Sequence, residues 1–540
     1  MRAVLALTLA VAGLVGCAAQ HPGTHLPGSE ILRHVPADTP YLLASLQPTP
    51  REVLGKILAD DRQRIAEMRA RFAAMDQPGV RFILPLLDEL APNLSFEGLD
   101  RLGIGTNTTA AFYGIGFMPA LRIKVKDGAK VAATVQRIVD RFAGPPAKSG
   151  QHGRRWEIPG PPRTTVVIAV SGDELLAMLA PTSDLPRFLD YLYGDARPGP
   201  ALTDTTRVDD LVRGYQMSAM AIGWIDFAGA FAAFATEGSL ARMEAEALSG
   251  EPSKPIPAAC RTEGAAFFAH FPRLVFGVDE LTGTQTRVRM TLELDPELAH
   301  DLQALKVSAV GVGAPLGASL LSFGLAGDVP KLLGLVQGRA RRVLAQPYTC
   351  EYLAGFTEAA SKIDTELAQP IPPWVNDLRA IAVELIDLKT AGGGLGTPKV
   401  RGVAVLSAAD PIRLIDLAKR FLPSLPNISI PPDGKPVKLP GGLFFIDAFV
   451  AMRGQLLGAG IGEGADLELA RLMSEHPLPE QPLGALAADM DRLMAVVAEM
   501  NKLTGKEDDL MPDGLHGKAS MTLTAEPRGL VLRLLHEDRR

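Results

Sequence analysis

The chain has 540 residues, of which 47% are hydrophobic and 21% are charged, and its formal net charge at pH 7 is −6. This length predicts two or more domains, or one duplicated domain. The aliphatic content excludes an intrinsically disordered chain, and the slight acidic excess gives no electrostatic support for a nucleic-acid partner.

The N-terminal segment has the layout of an export signal. Arg2 provides a short positive region, and the apolar run Ala3–Val15 has the length of a signal-peptide core but is too short for a transmembrane helix. The run ends in LVGC at positions 14–17. This tetrapeptide resembles the lipobox of bacterial lipoproteins, whose cysteine is lipidated and becomes the first residue after cleavage. The resemblance implies that residues 1–16 are a signal peptide and that Cys17 carries a lipid anchor. An ordinary secretory signal with a chance cysteine is the alternative.

The residues after the cysteine predict a tether. Segment 17–30 contains two prolines and two glycines and has no amphipathic period, so we expect a flexible linker with a root-mean-square reach of roughly 20 Å. Ala18 stands where inner-membrane lipoproteins of Gram-negative bacteria usually carry Asp. The lipobox resemblance therefore implies anchoring in the outer membrane of the cell envelope, on its periplasmic side.

Three pairs of short segments recur in the same order about 280 residues apart, which indicates a duplicated domain and not a solenoid. The pairs are Pro40–Ser45 with Ala318–Phe323, Leu121–Val125 with Val403–Leu406, and Val166–Val170 with Phe445–Val450. With the lipobox, this layout resembles the two-copy envelope lipoproteins of Proteobacteria.

Periodicity predicts both helices and strands. Residues 50–75 place apolar side chains at helical spacing, which is typical of a long amphipathic helix. Arg287–Leu294 and Ser520–Ala525 alternate polar and apolar residues, which favours half-buried antiparallel strands.

These patterns together predict an α+β fold class. We expect two similar domains from an internal duplication, each an antiparallel or mixed sheet packed with helices. The first copy covers residues 31–306 and the second, shorter copy covers residues 307–540, with the break in Val307–Pro315.

Two cysteines remain once Cys17 is lipidated. Cys260 and Cys350 both lie in loop-like contexts, and leftover cysteines in an oxidising envelope usually pair. We therefore expect a Cys260–Cys350 disulfide across the break between the copies, which in the chain-entropy model contributes roughly 4–5 kcal/mol. Two separate buried thiols are the alternative.

The most apolar internal segment is Met217–Thr236, but its central Asp226 would be costly inside a bilayer. Asp226 stands between a short apolar run and a helix-like stretch, so we interpret it as a helix N-cap. In that stretch Phe227, Phe231 and Phe234 have i, i+4, i+7 spacing. The three rings predict either an apolar ligand pocket or plain helical core.

Established catalytic signatures are absent: the sequence has no nucleophile elbow, zinc-protease motif or phosphate loop. Gly392–Gly396 lacks the lysine of a nucleotide loop, and acidic Glu507–Asp509 lacks the ligand spacing of a calcium loop. Arg122, Lys124 and Lys126 alternate along one predicted strand. They form either a stripe for anionic lipid heads or glycan, or a solvated outer face.

These observations favour a non-catalytic binding or scaffold component of the cell envelope. We expect no cofactor, no metal site and no catalytic residue; the expected partners are the membrane through the lipid anchor and an envelope protein or lipid. A protein that handles lipids or other apolar ligands is the first alternative. A hydrolase with unfamiliar geometry is the second alternative.

Overall fold

The computed structural model describes residues 26–74, 80–389, 399–421, 429–440, 446–504 and 516–538. Contacts divide the chain into a first unit that ends at Gly283 and a second unit that begins at Thr284. This division falls before the sequence boundary at 306/307. The reason is strand β10 (Gln285–Glu293), which pairs along its whole length with β19 (Gly529–Glu537) and so belongs to the second unit.

The first unit is built on an antiparallel sheet in the order β4–β5–β6–β7–β3–β2–β1–β8–β9. Its strands are β1 (Tyr41–Ser45), β2 (Ala110–Ile115), β3 (Met118–Lys124), β4 (Lys148–Gly150), β5 (Gly153–Pro159), β6 (Thr164–Ser171), β7 (Glu174–Pro181), β8 (Ile222–Asp226) and β9 (Arg273–Leu281). Its α-helices are α1 (Arg51–Ala73), α2 (Val80–Leu90), α3 (Phe96–Leu102), α4 (Gly128–Arg141), α5 (Leu185–Tyr193), α6 (Arg207–Tyr215), α7 (Phe227–Ala235), α8 (Leu240–Ser249) and α9 (Ala258–Ala269).

The second unit also has an antiparallel sheet, in the order β14–β15–β16–β13–β12–β11–β17–β18–β19–β10. Its further strands are β11 (Leu321–Ala326), β12 (Leu378–Lys389), β13 (Lys399–Ala408), β14 (Val437–Lys438), β15 (Ala448–Arg453), β16 (Leu456–Ile461), β17 (Gly484–Asp489) and β18 (Lys518–Glu526). Its α-helices are α10 (Pro296–Gln303), α11 (Val329–Ala345), α12 (Ala354–Leu367), α13 (Pro373–Asp377), α14 (Pro411–Phe421), α15 (Ala465–Ser474) and α16 (Met490–Thr504).

Aspartates at the ends of strands start several helices in both units. The Asp226 carboxylate accepts a hydrogen bond from the Gly229 amide (2.7 Å) at the start of α7, so the predicted N-cap is confirmed. Asp489 caps α16 in the same way through the Arg492 amide (3.3 Å). Each carboxylate satisfies an amide that has no partner within the helix and lies at the positive end of the helix dipole.

The mixed α+β class and the antiparallel sheets predicted from the sequence are confirmed. The amphipathic helix expected at residues 50–75 is α1, and the alternating segments are β10 and β18. Within the described residues, no helix has the length and apolar character needed to cross a membrane.

The first unit has a hydrophobic core on each face of its sheet. On one face, Val167 of β6 packs with α5 and α6 in the larger cluster. On the other face, the next residue, Ile168, packs against a second cluster that contains Trp156 and Val135 of α4. Because side chains alternate along a strand, these two clusters lie on opposite faces.

The second unit has its described core clusters on one face only. One cluster joins Val403 and Val405 of β13 to Leu469 and Leu472 of α15. The other places Ala382 of β12 with residues of the segment before β11. Since Ala382 pairs directly with Val405, both clusters lie on the same face of this sheet.

Candidate functional site

The other face of the second unit's sheet exposes six large apolar side chains, which we call the open face. Each of the six is between 37 and 50% exposed, and each lies in β11, β12, β17 or β18. They are Phe323, Leu325, Ile381, Val383, Leu486 and Met521.

Strand register brings these six side chains together. Val383 pairs with Phe323, Phe323 with Leu486, and Leu486 with Met521, so four large apolar residues form one row across four strands. Leu325 and Ile381 form a second pair beside that row. Directly paired residues project from the same side of a sheet, so the open face is one continuous patch.

The row continues beyond Met521. Met521 pairs with Leu534 of β19, and Leu534 pairs with Val288 of β10, both half-buried. From Val383 to Val288 the row crosses six strands, which corresponds to roughly 24 Å at the usual strand spacing. Every residue in this row is uncharged and apolar, so the open face can take an extended apolar ligand.

On β11 and β12, the residues that alternate with those of the open face are buried. Ser322 and Ala382, next to Phe323 and Val383 in the chain, are 8% and 2% exposed. The same strands therefore bury one face and leave the other accessible. Contiguous exposed apolar surface of this kind marks an interaction site in a folded protein.

The predicted phenylalanine stripe on α7 takes part in helix packing. Phe231 lies 5.2 Å from Phe268 of α9, centroid to centroid. A Cβ placed on Gly264 of α9 would lie 2.2 Å from the Phe231 ring, so the two helices approach closely there. Phe227 is half-buried and Phe234 is 40% exposed. Of the two alternatives, this geometry favours helical core at Phe231.

The expected exposed stripe of Arg122, Lys124 and Lys126 is wrong for Arg122, which is 1% exposed. Its guanidinium pairs with Glu174 and donates to the Leu192 carbonyl of α5. Lys124 and Lys126 are exposed but already pair with Asp173 and Asp100. The stripe is interrupted because α5 covers the strand face that carries Arg122.

The Arg122–Glu174 pair is the centre of a buried polar cluster that the sequence did not indicate. Burial raises the pKa of Tyr113 in this cluster, against the opposing charge of Arg122. Burial and the charges of Arg122, Arg33 and Arg197 lower the pKa of His34 to about 4. The cluster is closed to solvent at Arg122 and Tyr113, which indicates a structural role for these two residues.

A second buried carboxyl lies in α8. Glu244 is 2% exposed and accepts a hydrogen bond from the Phe117 amide (2.7 Å) in the turn between β2 and β3. Burial raises its pKa to about 8, although the Phe117 and Met118 amides oppose that shift. A Cβ on Gly116, whose φ is +59°, would lie 2.2 Å from this carboxylate. Glu244 therefore holds the β2–β3 turn in place.

The remaining predicted sites have different outcomes. Cys260 and Cys350 are joined in a disulfide, so that prediction is confirmed, and both residues are buried. Cys17, Gly392–Gly396 and Glu507–Asp509 lie outside the described residues. Among the residues described, no three His, Cys, Asp or Glu side chains are grouped so as to hold a metal ion.

The open face is the feature that sequence reasoning missed. Its signal is the alternation in β11, where Leu321, Phe323 and Leu325 are large and apolar while Ser322 and Gly324 are small. No protein-family model, curated protein or solved structure matches this chain, so the conclusions on function depend on the geometry of the open face.

Proposed function

We propose that this protein is a non-catalytic, lipid-anchored protein of the bacterial cell envelope that binds acyl chains on the open face of its second unit. The observation that carries the proposal is the continuous row from Val383 through Phe323, Leu486 and Met521. This is a lipid-handling role, combined with the anchoring that the lipobox implies.

The chemistry of the row favours an acyl chain over a protein surface. Protein interfaces place aromatic, arginine and hydrogen-bonding groups among their apolar contacts. The row contains one aromatic ring among aliphatic and methionine side chains and offers no polar group for pairing. An acyl chain requires only apolar contact. The row is roughly 24 Å long, which is more than half the ~30 Å thickness of the hydrocarbon core of a bilayer.

The expected affinity of the open face for an acyl chain is sufficient for binding. Each buried methylene contributes about 0.8 kcal/mol, so ten methylenes on the open face would contribute about 8 kcal/mol before the costs of association. Methionine adapts its shape to different apolar partners, and Met521 lies within the row. We therefore expect selectivity for chain length to be weak.

Internal duplication is part of the proposal. The supporting observation is that the order β1, β2, β3, β7, β6, β5 in the first sheet corresponds to β11, β12, β13, β16, β15, β14 in the second. The segment pairs recognised in the sequence fall on β1 with β11, β3 with β13, and β6 with β15. Divergence of one copy could then free a sheet face for binding.

Anchoring is proposed through Cys17 after removal of residues 1–16, with residues 17–30 as the tether to the periplasmic side of the outer membrane. Incorporation of labelled palmitate by cells that express the full chain tests it. The chain should be labelled and Cys17→Ser should not be. Equal labelling of the two chains would exclude Cys17 as the acylated residue.

Acyl-chain binding is tested with the full-length Cys17→Ser chain, delipidated and titrated with a fluorescent C16 fatty acid. A chain that also carries Phe323→Thr and Leu486→Thr should lose most of the binding. The matched control is Leu467→Thr, because Leu467 is 74% exposed but lies on α15, away from the open face. Absence of binding by the Cys17→Ser chain, or equal binding by all three, contradicts the proposal.

A further inference from the structure

A second apolar row crosses the same six strands beside the row through Phe323. Direct strand pairing joins its members, and none of them carries a charged or hydrogen-bonding side chain. In strand order they are Ile381, Leu325, Gly484, Leu523, Leu532 and Met290. A chain bound over these two rows meets apolar contacts alone, so neither row fixes the position of a polar head group.

The third row, on the other side of Phe323, ends in two polar side chains. Its members in strand order are Leu385, Leu321, Ala488, Ala519, His536 and Thr286. Across the three rows, all of which lie within the described strands, His536 is the one ionisable side chain and Thr286 carries the one hydroxyl. The polar chemistry of this side of the sheet is therefore concentrated at β19 and β10.

His536 and Thr286 lie beside the last two residues of the row through Phe323. His536 follows Leu534 by two residues on β19, which places it on the same side of the sheet and roughly 7 Å along the strand. Thr286 pairs directly with His536 and precedes Val288, the end of that row, by two residues. The imidazole and the hydroxyl are therefore neighbours at the end of the apolar row.

Both polar side chains are half-buried. Within the part of the chain that the structure describes, neither forms a hydrogen bond or an ion pair through its side chain. Of the two nearest carboxylates along the chain, Glu537 projects from the opposite side of the sheet, and Asp538, which follows β19, already takes part in another interaction. The imidazole and the hydroxyl can therefore both donate to an oxygen of a ligand.

We propose that the ligand of the open face is a fatty acid whose carboxylate is bound by His536 and Thr286. This inference rests on the proposed acyl-chain binding and adds the head group and the direction of the chain. The imidazole N–H and the Thr286 hydroxyl each donate to a carboxylate oxygen, and the chain extends across the strands from Val288 toward Val383. Hydrogen bonds to an ionised acceptor are about twice as strong as neutral ones, so a free acid binds more tightly than an alcohol of the same length.

The test compares dodecanoic acid with dodecan-1-ol by isothermal titration of the full-length Cys17→Ser chain at pH 7.5, where a carboxylic acid is ionised. The acid should bind roughly tenfold more tightly than the alcohol. His536→Leu should bring the ratio of the two Kd values close to one, and Thr286→Val should reduce it by a smaller factor. His476→Leu is the matched control and should keep the full ratio, because His476 is exposed and follows α15 outside the sheet.

The outcomes separate this proposal from acyl-chain binding itself. If neither ligand binds the Cys17→Ser chain, acyl-chain binding fails and the head-group site fails with it. If both ligands bind equally well, or if His536→Leu keeps the full ratio, acyl-chain binding stands and the assignment of the carboxylate to His536 is wrong. If His536→Leu does not fold, an unchanged ratio in Thr286→Val, which preserves the side-chain shape, overturns the proposal by itself.

Discussion

Neighbouring residues on one strand of each unit show how the two units differ. In the first unit Val167 and Ile168 point to opposite faces of the sheet, and each packs against a hydrophobic cluster. In the second unit Ala382 is buried, whereas Val383, the next residue, is 37% exposed. The two sheets share an antiparallel order, but only the first has a described core on both sides.

The proposed binding function depends on this difference. A sheet needs one buried face to be stable, and the second unit meets that need with α15 and the segment before β11. Its six large apolar side chains on the other face each leave 37 to 50% of their surface exposed. Retaining large apolar residues at such positions is costly for solubility, which favours a ligand that covers them.

The largest expected effect compares Trp156 with Phe323. Trp156 is fully buried in the second core of the first unit and donates to the Gln136 side chain (3.0 Å), so Trp156→Ala should lower the free energy of unfolding by about 3–5 kcal/mol. Phe323→Ala should cost only about 1–2 kcal/mol because 41% of Phe323 is already exposed to solvent. Urea unfolding monitored by far-UV circular dichroism measures both.

The opposite outcome would show that the open face is part of a hydrophobic core. If Phe323→Ala destabilises the chain as much as Trp156→Ala does, Phe323 is part of a core and the acyl-chain proposal fails. Hydrogen exchange read by mass spectrometry locates the effect, because Trp156→Ala should increase exchange in β5 and β6 while leaving β11 and β12 unchanged.

The second prediction compares a buried ion pair in each unit. Arg122 has a side chain that is 2% exposed, whereas Arg471, which pairs with buried Glu384 at 2.8 Å, is 45% exposed. Arg122→Met leaves the buried Glu174 carboxylate with only a 3.9 Å contact to the exposed Arg33 and should cost about 3–5 kcal/mol. Arg471→Met should cost about 1–2 kcal/mol, since Arg471 is half-exposed and the Ser319 hydroxyl still donates to Glu384 (2.8 Å).

Urea unfolding measures both costs. Fatty-acid titration of the folded variants distinguishes a structural role from a role in ligand binding. Arg122→Met should leave fatty-acid binding unchanged wherever the chain remains folded. Loss of fatty-acid binding in a folded Arg122→Met chain would place a ligand site in the first unit, contrary to the interpretation given above.

A helix cap and the alternation of two strands were predictable from the sequence. Which strand faces are covered by segments distant in the chain was not predictable. The Asp226 cap depends on residues three apart, and the alternation in β10 and β18 depends on neighbours two apart. Arg122 was misread because the same alternation in β3 is typical of a solvated face. Its burial depends on α5, more than 60 residues later in the chain.

The open face shows the reverse case, in which residues with the pattern of a buried strand face are exposed. Large apolar residues at Leu321, Phe323 and Leu325 have the pattern of a buried strand face, although Phe323 and Leu325 are 41% and 50% exposed. Exposure of a sheet face depends on what packs over it, which is decided by residues distant in the chain. The pattern alone therefore predicts the strand but not the site.

The third prediction uses the pH dependence of the first unit. Burial raises the pKa of Glu244 from 4.5 to about 8, so between these values the folded chain holds a proton that the unfolded chain has lost. Stability should therefore fall as pH rises through this window, by at most about 1.4 kcal/mol per pH unit from this group. Glu244→Gln should remove that slope. An unchanged slope in Glu244→Gln would show that the carboxyl is ionised in the folded chain at pH 7.

The smallest effect is expected at His34, with the opposite sign. Burial and three nearby arginines lower its pKa from 6.5 to about 4, so between these values the unfolded chain binds a proton that the folded chain does not. Stability should fall as pH drops through this window, and His34→Gln should flatten the decline. Because His34 is only half-buried, water screens much of this effect. Urea midpoints at pH 4.5, 5.5 and 6.5 measure this effect. Parallel curves for His34→Gln and the unmodified chain would assign the acid sensitivity to other groups. A flattened curve would show that the Arg122 cluster contributes to the pH dependence of stability in the first unit.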